Sequence, residues 1–148
     1  MKGLELNILT WDFWRSLKDH VDIVFRPIIE DYGLTMMQTR ILLEIKQCGH
    51  LTVGSLCSEI GLTSGNASAM CKKLEKAGFI KRNRNPSDER IVELRLTEHG
   101  EAIIQKIEDA IEKKYSKLLE TRGEEEIKDF AAGIKKFNAI IKEMIMIC

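Results

Sequence analysis

At 148 residues, with 44% hydrophobic and 31% charged side chains, the chain is long enough to bury one substantial core and too apolar for a disordered polymer. Its 23 basic and 23 acidic residues cancel, so the overall charge gives no reason to expect a polyanionic partner. The longest unbroken apolar run, residues 144–148, falls far short of the ~20 residues that span a bilayer, so no membrane association is expected.

In chain order, Glu5 and Asp12 interrupt the N-terminal apolar stretch and no small-residue cleavage site follows; no signal peptide is expected, and the expected location is cytoplasmic. Residues 4–30 carry Leu6, Leu9, Phe13, Leu17, Val21, Val24 and Ile28 at spacings of three and four, a helical period, with Pro27 as the place where the helix kinks or divides. Thr35, with Gln38 three residues on, is a capping box that opens a helix over 36–47, stopped by Gly49. Thr52 caps a short helix to Ile60, and Gly61 follows at the position that favours left-handed backbone. Thr63 caps a third helix over 64–77, ended by Gly78.

After Gly78 the period changes from 3.6 to 2. Residues 79–82 read as a short strand, and in 91–96 Val92, Leu94 and Leu96 share one face while Glu93 and Arg95 share the other. The polar, turn-rich stretch 83–90 between them predicts a hairpin with a long basic tip. Thr97 caps a long helix carrying Ile103, Ile104, Ile107, Ile111, Leu118 and Leu119, broken at Arg122-Gly123. A last helix from about Glu124 presents Ile127, Phe130, Ile134, Phe137, Ile141 and Met144. The predicted fold is mainly α with a small β-hairpin: a winged helix-turn-helix over about 35–97, flanked by dimerisation helices over about 4–31 and 98–146, all within one domain, 1–148.

The charge is unevenly spread. Residues 65–95 hold eight Lys or Arg against four Asp or Glu, net +4, while both flanks are net −2. On a helical wheel for 64–77, Ala67, Met70, Cys71 and Leu74 form the core stripe. Opposite them lie Gly65, Ser68, Ala69, Lys72 and Lys76, with Asn66 and Lys73 on the flank. Small residues at the N-terminal end, from Ser64 on, allow close approach to base edges, and the later lysines meet phosphates, as a DNA-recognition helix requires. The plain alternative for the lysines is a solvated helix face. On the hairpin, Arg84 and Arg90 sit at the tip after Lys81 and Arg82, and an arginine there can enter a narrow minor groove. Asp88 would repel phosphate, so its expected role is internal, fixing an arginine by a bidentate pair.

Cys48, Cys57, Cys71 and Cys148 form no C-x-x-C pair, and only Cys48 and His50 stand close enough to suggest a metal; neither a metal nor a cofactor is expected. Cys57 and Cys71 read as small buried hydrophobes. No G-x-S-x-G, H-E-x-x-H, P-loop or dinucleotide fingerprint occurs, and His20, His50 and His99 fall in separate elements, so no catalytic residues are assigned and no enzyme is expected.

The stretches Leu51-Thr-Val-Gly-Ser-Leu, Gly61-Leu-Thr-Ser-Gly-Asn-Ala-Ser, Lys73-Leu-Glu-Lys-Ala-Gly-Phe-Ile-Lys-Arg, Asn85-Pro-Ser-Asp-Glu-Arg and Leu94-Arg-Leu-Thr-Glu-His-Gly closely resemble the MarR family of bacterial regulators. The resemblance covers about residues 30–105, and the D-x-R wing signature followed by L-T-x-x-G carries it. It implies a homodimer built from the terminal helices, a recognition helix at 64–77, and a wing whose Arg90 reaches the minor groove with Asp88 as its structural partner. It also implies a transcriptional repressor released by a small aromatic or anionic effector, or by cysteine oxidation. Residues 1–30 lack the reactive cysteine of the oxidation-sensing branch, and no cluster of His and carboxylates resembles that of metal-sensing members. Trp11, Trp14 and His20 lie on the first helix, where the family builds its effector pocket; their other reading is dimer-core packing. Ile140, Ile141, Met144, Ile145 and Ile147 would form an exposed patch on a monomer. Pairing two chains would cover it and place two recognition helices on a pseudo-palindromic double-stranded operator of roughly 16–20 base pairs. A winged helix that binds an acidic protein, or a cysteine-based redox regulator, is the competing expectation.

Overall fold

Proline at position 27 divides the first apolar segment. The computed structural model, which describes residues 2–49 and 51–147, has helix α1 (Gly3–His20), a π-helical turn (Val21–Phe25) and helix α2 (Arg26–Glu30) where the sequence predicts a helix kinked or divided at Pro27. Pro27 stands in the first turn of α2, and lacking an N–H it cannot continue the ladder of the helical turn before it. The turn before it widens, so that the Arg26 N–H reaches back five residues to the Val21 carbonyl.

Next come α3 (Met36–Cys48), β1 (Leu51–Thr52), α4 (Val53–Ile60), α5 (Ser64–Lys76), β2 (Ile80–Asn85), β3 (Asp88–Leu96), α6 (Glu98–Thr121) and α7 (Glu124–Ile147). The predicted caps are in place. Thr35 Oγ1 accepts the Gln38 N–H while Gln38 Oε1 accepts that of Thr35. Thr52 accepts from Ser55, and Thr63 from Asn66. Gly61 is left-handed, with φ 68° and ψ 31°, which permits the tight turn between α4 and α5.

The hairpin differs from its expected form. Its strands run to a turn at Pro86-Ser87, with Asn85 paired to Asp88, so the predicted long tip is largely strand. Arg84 therefore lies within a ladder opposite Val92 rather than at the tip, and a register shift separates it from Asn85. Beyond the core both faces of the hairpin are solvated, so no alternation marks the outer strand residues. β1 is also absent from the sequence reading. It adds two residues, Leu51 opposite Leu94 and Thr52 opposite Glu93, to make an antiparallel sheet in the order β1-β3-β2.

The chain forms two compact units, Met1–Ile111 and Glu112–Cys148. In the first, Ile29, Ile41, Leu42, Leu56, Leu74, Leu94, Ile104 and Ile107 are fully buried, each worth ~1.5–3 kcal/mol of apolar burial. Glu44, also buried, is held by Arg40 Nη2 at 2.7 Å. Lys46 of α3 pairs with Glu108 of α6 and donates to Gln105 at 3.0 Å. In the second unit α7 has no buried side chain among those described, and Phe130 is 63% exposed.

One joint sets where the hairpin leaves α5. The Thr97 N–H donates to the Phe79 carbonyl at 3.0 Å, and its hydroxyl donates to the Gly78 carbonyl at 2.6 Å, with the Phe79 carbonyl also at 3.1 Å. The same hydroxyl accepts the Gly100 N–H at 3.0 Å, capping α6. A Cβ on Gly100 would stand 2.0 Å from the Phe79 carbonyl oxygen, so backbone would have to move. Gly100→Ala is accordingly expected to lose about 1–3 kcal/mol or more through overpacking, and Thr97→Ala about 0.5–2 kcal/mol through the lost cap. Urea unfolding checks both, and a Gly100→Ala midpoint equal to that of the parent would disprove the close approach.

Candidate nucleic-acid interface

The segment from Thr63 to Arg90 brings most of the predicted site residues onto one side of two adjoining elements. α5 is anchored by Ala67, Cys71 and Leu74, each buried against the core, so its other face must look outward. There Ser64, Gly65, Asn66, Lys72, Lys73 and Lys76 are exposed and Ser68 is half-buried. None of the three lysines enters an ion pair among the described residues. A Cβ added to Gly65 would meet nothing within 4 Å, so the fold itself does not require glycine there.

The hairpin turn is held by its own short side chains. Asn85 Oδ1 accepts the Ser87 N–H at 2.8 Å, and Asp88 Oδ1 accepts the Arg90 N–H at 3.0 Å. This corrects the expected bidentate pair: Asp88 supports the Arg90 main chain, and among the described residues it forms no ion pair with an arginine side chain. The Arg90 side chain is exposed two residues beyond Asp88, and that of Arg84 is exposed within β2.

Two residues outside the predicted set join the helix to the hairpin. Glu75 Oε1 accepts the Arg82 main-chain N–H at 3.2 Å, and Glu75 Oε2 lies 3.5 Å from Arg82 Nη1. A cleft of about 210 Å³ opens beside them, lined by Lys72, Glu75, Arg82, Arg84 and Val92. The available signal was strand parity. Ile80, Arg82 and Arg84 share one face of β2, and Ile80 is buried, so that face must turn toward α5.

The remaining predicted residues do not converge. Trp11 and Trp14 are 67% and 64% exposed, one turn apart on α1. His20, at 100° per residue, falls on the other side of that helix, so the three do not form one pocket wall. A larger cleft of about 760 Å³ lies elsewhere, between α3, β3 and α6, with Lys46, Arg95, Glu98 and Glu101 among its lining. His50 lies outside the described residues, so the Cys48–His50 pairing has no geometry to describe. Among the described residues no three His, Cys, Asp or Glu side chains could hold a metal, and no helix is long and apolar enough to cross a membrane.

The thiols bear on the redox alternative. Cys71 is fully buried and burial pushes its pKa up to about 11, although Arg82 pulls the other way. Cys48 is exposed on α3, and its thiol is raised by desolvation and by the Glu44 and Glu59 carboxylates. Both shifts reduce the thiolate fraction at neutral pH, the opposite of an activated sensor. Alkylation at pH 7.5 with mass-spectrometric readout should therefore label Cys71 only as fast as the protein unfolds. Labelling of Cys71 in the folded state at the rate of a free thiol would overturn that reading.

The family model for the transcriptional regulators SarA/Rot matches residues 23–107. The HTH-type transcriptional regulator FarR of Neisseria gonorrhoeae is 30% identical over 115 residues, which cover 76% of this chain and 79% of that protein. A MarR family protein from Bacillus stearothermophilus superposes with a TM-score of 0.74 at 25% identity, covering 96% of this chain and 99% of that one. A mutant MarR from E. coli, in a structure with operator DNA, gives a TM-score of 0.76 at 20% identity over 93% of this chain and 99% of that one.

Proposed function

Because this chain belongs to the SarA/Rot and MarR family of winged helix-turn-helix transcriptional regulators, we propose that it is a homodimeric, sequence-specific binder of double-stranded DNA that acts in the cytoplasm as a repressor. The observation that carries this reading is the outward face of α5: small at its first turn, cationic further along, with its lysines in no ion pair among the described residues, and flanked by a hairpin that carries exposed Arg84 and Arg90. The structural neighbour from E. coli is a complex with operator DNA, which supports a DNA partner. In this reading Ser64, Gly65, Asn66 and Ser68 approach base edges in the major groove, Lys72, Lys73 and Lys76 meet phosphates, and Arg90 enters the minor groove.

Dimerisation is supported by uncovered apolar surface on the terminal helices. α1 has no buried residue over its 18 residues, and on α7 Ile140, Met144 and Ile145 are all exposed. A two-fold pair would hold two copies of α5 roughly 34–36 Å apart, one turn of B-DNA, on a pseudo-palindromic operator. A small aromatic or anionic effector would relieve repression. Trp11 and Trp14 offer it aromatic surface, whereas His20 faces away from them.

Selection of bound fragments from a random duplex library tests sequence preference and two-fold symmetry together. On the selected operator, log K against log salt should have a negative slope of several units, scaling with the phosphates contacted. A winged helix that docks on an acidic protein would select no duplex. Arg90→Ala should weaken operator binding by about 1–3 kcal/mol with the unfolding midpoint unchanged. Lys72→Ala should lower affinity for operator and random DNA alike, and a loss confined to the operator would show that Lys72 reads bases.

A further inference from the structure

We infer that the cleft between α5 and β2 is a seat for one DNA backbone phosphate, gripped from the helix side by Lys72 and from the hairpin side by Arg84, with Arg82 at its floor; this rests on the DNA-binding reading above. The cleft, about 210 Å³, holds three cations and one carboxylate. That carboxylate, Glu75, is already engaged by the main-chain N–H and guanidinium of Arg82. Lys72 and Arg84 have no carboxylate partner among the described residues. Arg82, with its side chain only 17% exposed, keeps a buried Nε–H that meets no acceptor. That Nε is closed to solvent, so Arg82 acts on a group in the cleft through its positive charge rather than through this N–H. At about 30 Å³ per water, the cleft has room for a tetrahedral oxyanion and its hydration.

The position in the fold selects the source of that oxyanion. The sugar-phosphate strand is the wall between adjacent major and minor grooves. With α5 in one groove and the hairpin in the next, that strand must pass between them, over the cleft. Parity of β2 places Arg82 and Arg84 on the face turned toward α5, and Lys72 stands one turn from Glu75 on the facing edge of that helix. Arg82 and Lys72 thus approach from two elements whose separation is fixed by the Glu75 contact to the Arg82 main chain.

The test uses the full chain and the selected operator with single methylphosphonate linkages, which remove one phosphate charge at a time. Affinities are measured for the parent, Lys72→Ala and Arg84→Ala. One linkage in each half-site should weaken the parent about tenfold or more. At that linkage both variants should lose little further affinity, while at every other linkage the losses should multiply. Lys72→Ala and Arg84→Ala becoming insensitive at two different linkages would overturn the shared seat. A parallel arm titrates inorganic phosphate into the DNA-free protein and follows the Arg82 and Arg84 amide resonances. Saturation at millimolar phosphate, together with no linkage shared by the two variants, would make the cleft a free-anion site and also overturn the inference. Failure to bind any duplex would instead sink the functional reading itself.

Discussion

Gly100 lets the first turn of α6 rest against the Phe79 carbonyl, and Thr97 satisfies the carbonyls of Gly78 and Phe79 that the end of α5 leaves open. The consequence is geometric. α5 ends, the chain reverses at Gly78, and the hairpin starts within a few residues of a helix that cannot slide away from it. Phe79 and Ile80 are buried there, and Leu94 comes back through the same core opposite Arg82. The hairpin is therefore rooted at its base and free at its turn. What the outward faces of α5 and β2 can do together depends on that root, since the hairpin is not held at its far end.

Much of this was legible before any coordinates. Thr35, Thr52, Thr63 and Thr97 each precede a helix and each caps one, because a hydroxyl three residues ahead of an N–H leaves a local signal. The alternation of Val92, Leu94 and Leu96 was readable because one face is covered. The outer hairpin was misjudged for the same reason in reverse. Arg84 and Arg90 project where both faces meet water, and a strand without a buried face has no period to detect. The two residues of β1 are too few to show any period. The π-helical turn follows from Pro27, but the sequence marks only the place of the disturbance and not whether the helix bends or widens. Trp11, Trp14 and His20 were grouped by the family resemblance, which places a pocket at the first helix, and helical geometry separates His20 from the pair.

Charge makes a similar point at shorter range. A chain with no net charge carries its positive excess in 65–95, and within that segment the carboxylates are not scattered against the cations. Glu75 is spent on Arg82, and Asp88 on the Arg90 main chain. Two of the segment's four acids are thus tied to groups that organise the hairpin. Lys72, Lys73, Lys76, Lys81, Arg84 and Arg90 stay exposed. Net charge is a poor guide here because the field at a surface is set by the groups left unpaired on it.

Two glycines of the first unit separate what the fold demands from what it does not. At Gly100 a methyl group would lie 2.0 Å from the Phe79 carbonyl oxygen, so packing within the chain fully accounts for glycine. At Gly65 the same methyl would meet open space, on the exposed face of the first turn of α5, where glycine is a weaker helix former than alanine. No contact within the chain compensates that loss. In the DNA-binding reading proposed above, the small residue at Gly65 leaves room for base edges at the first turn of α5, while the lysines of its later turns face the anionic backbone.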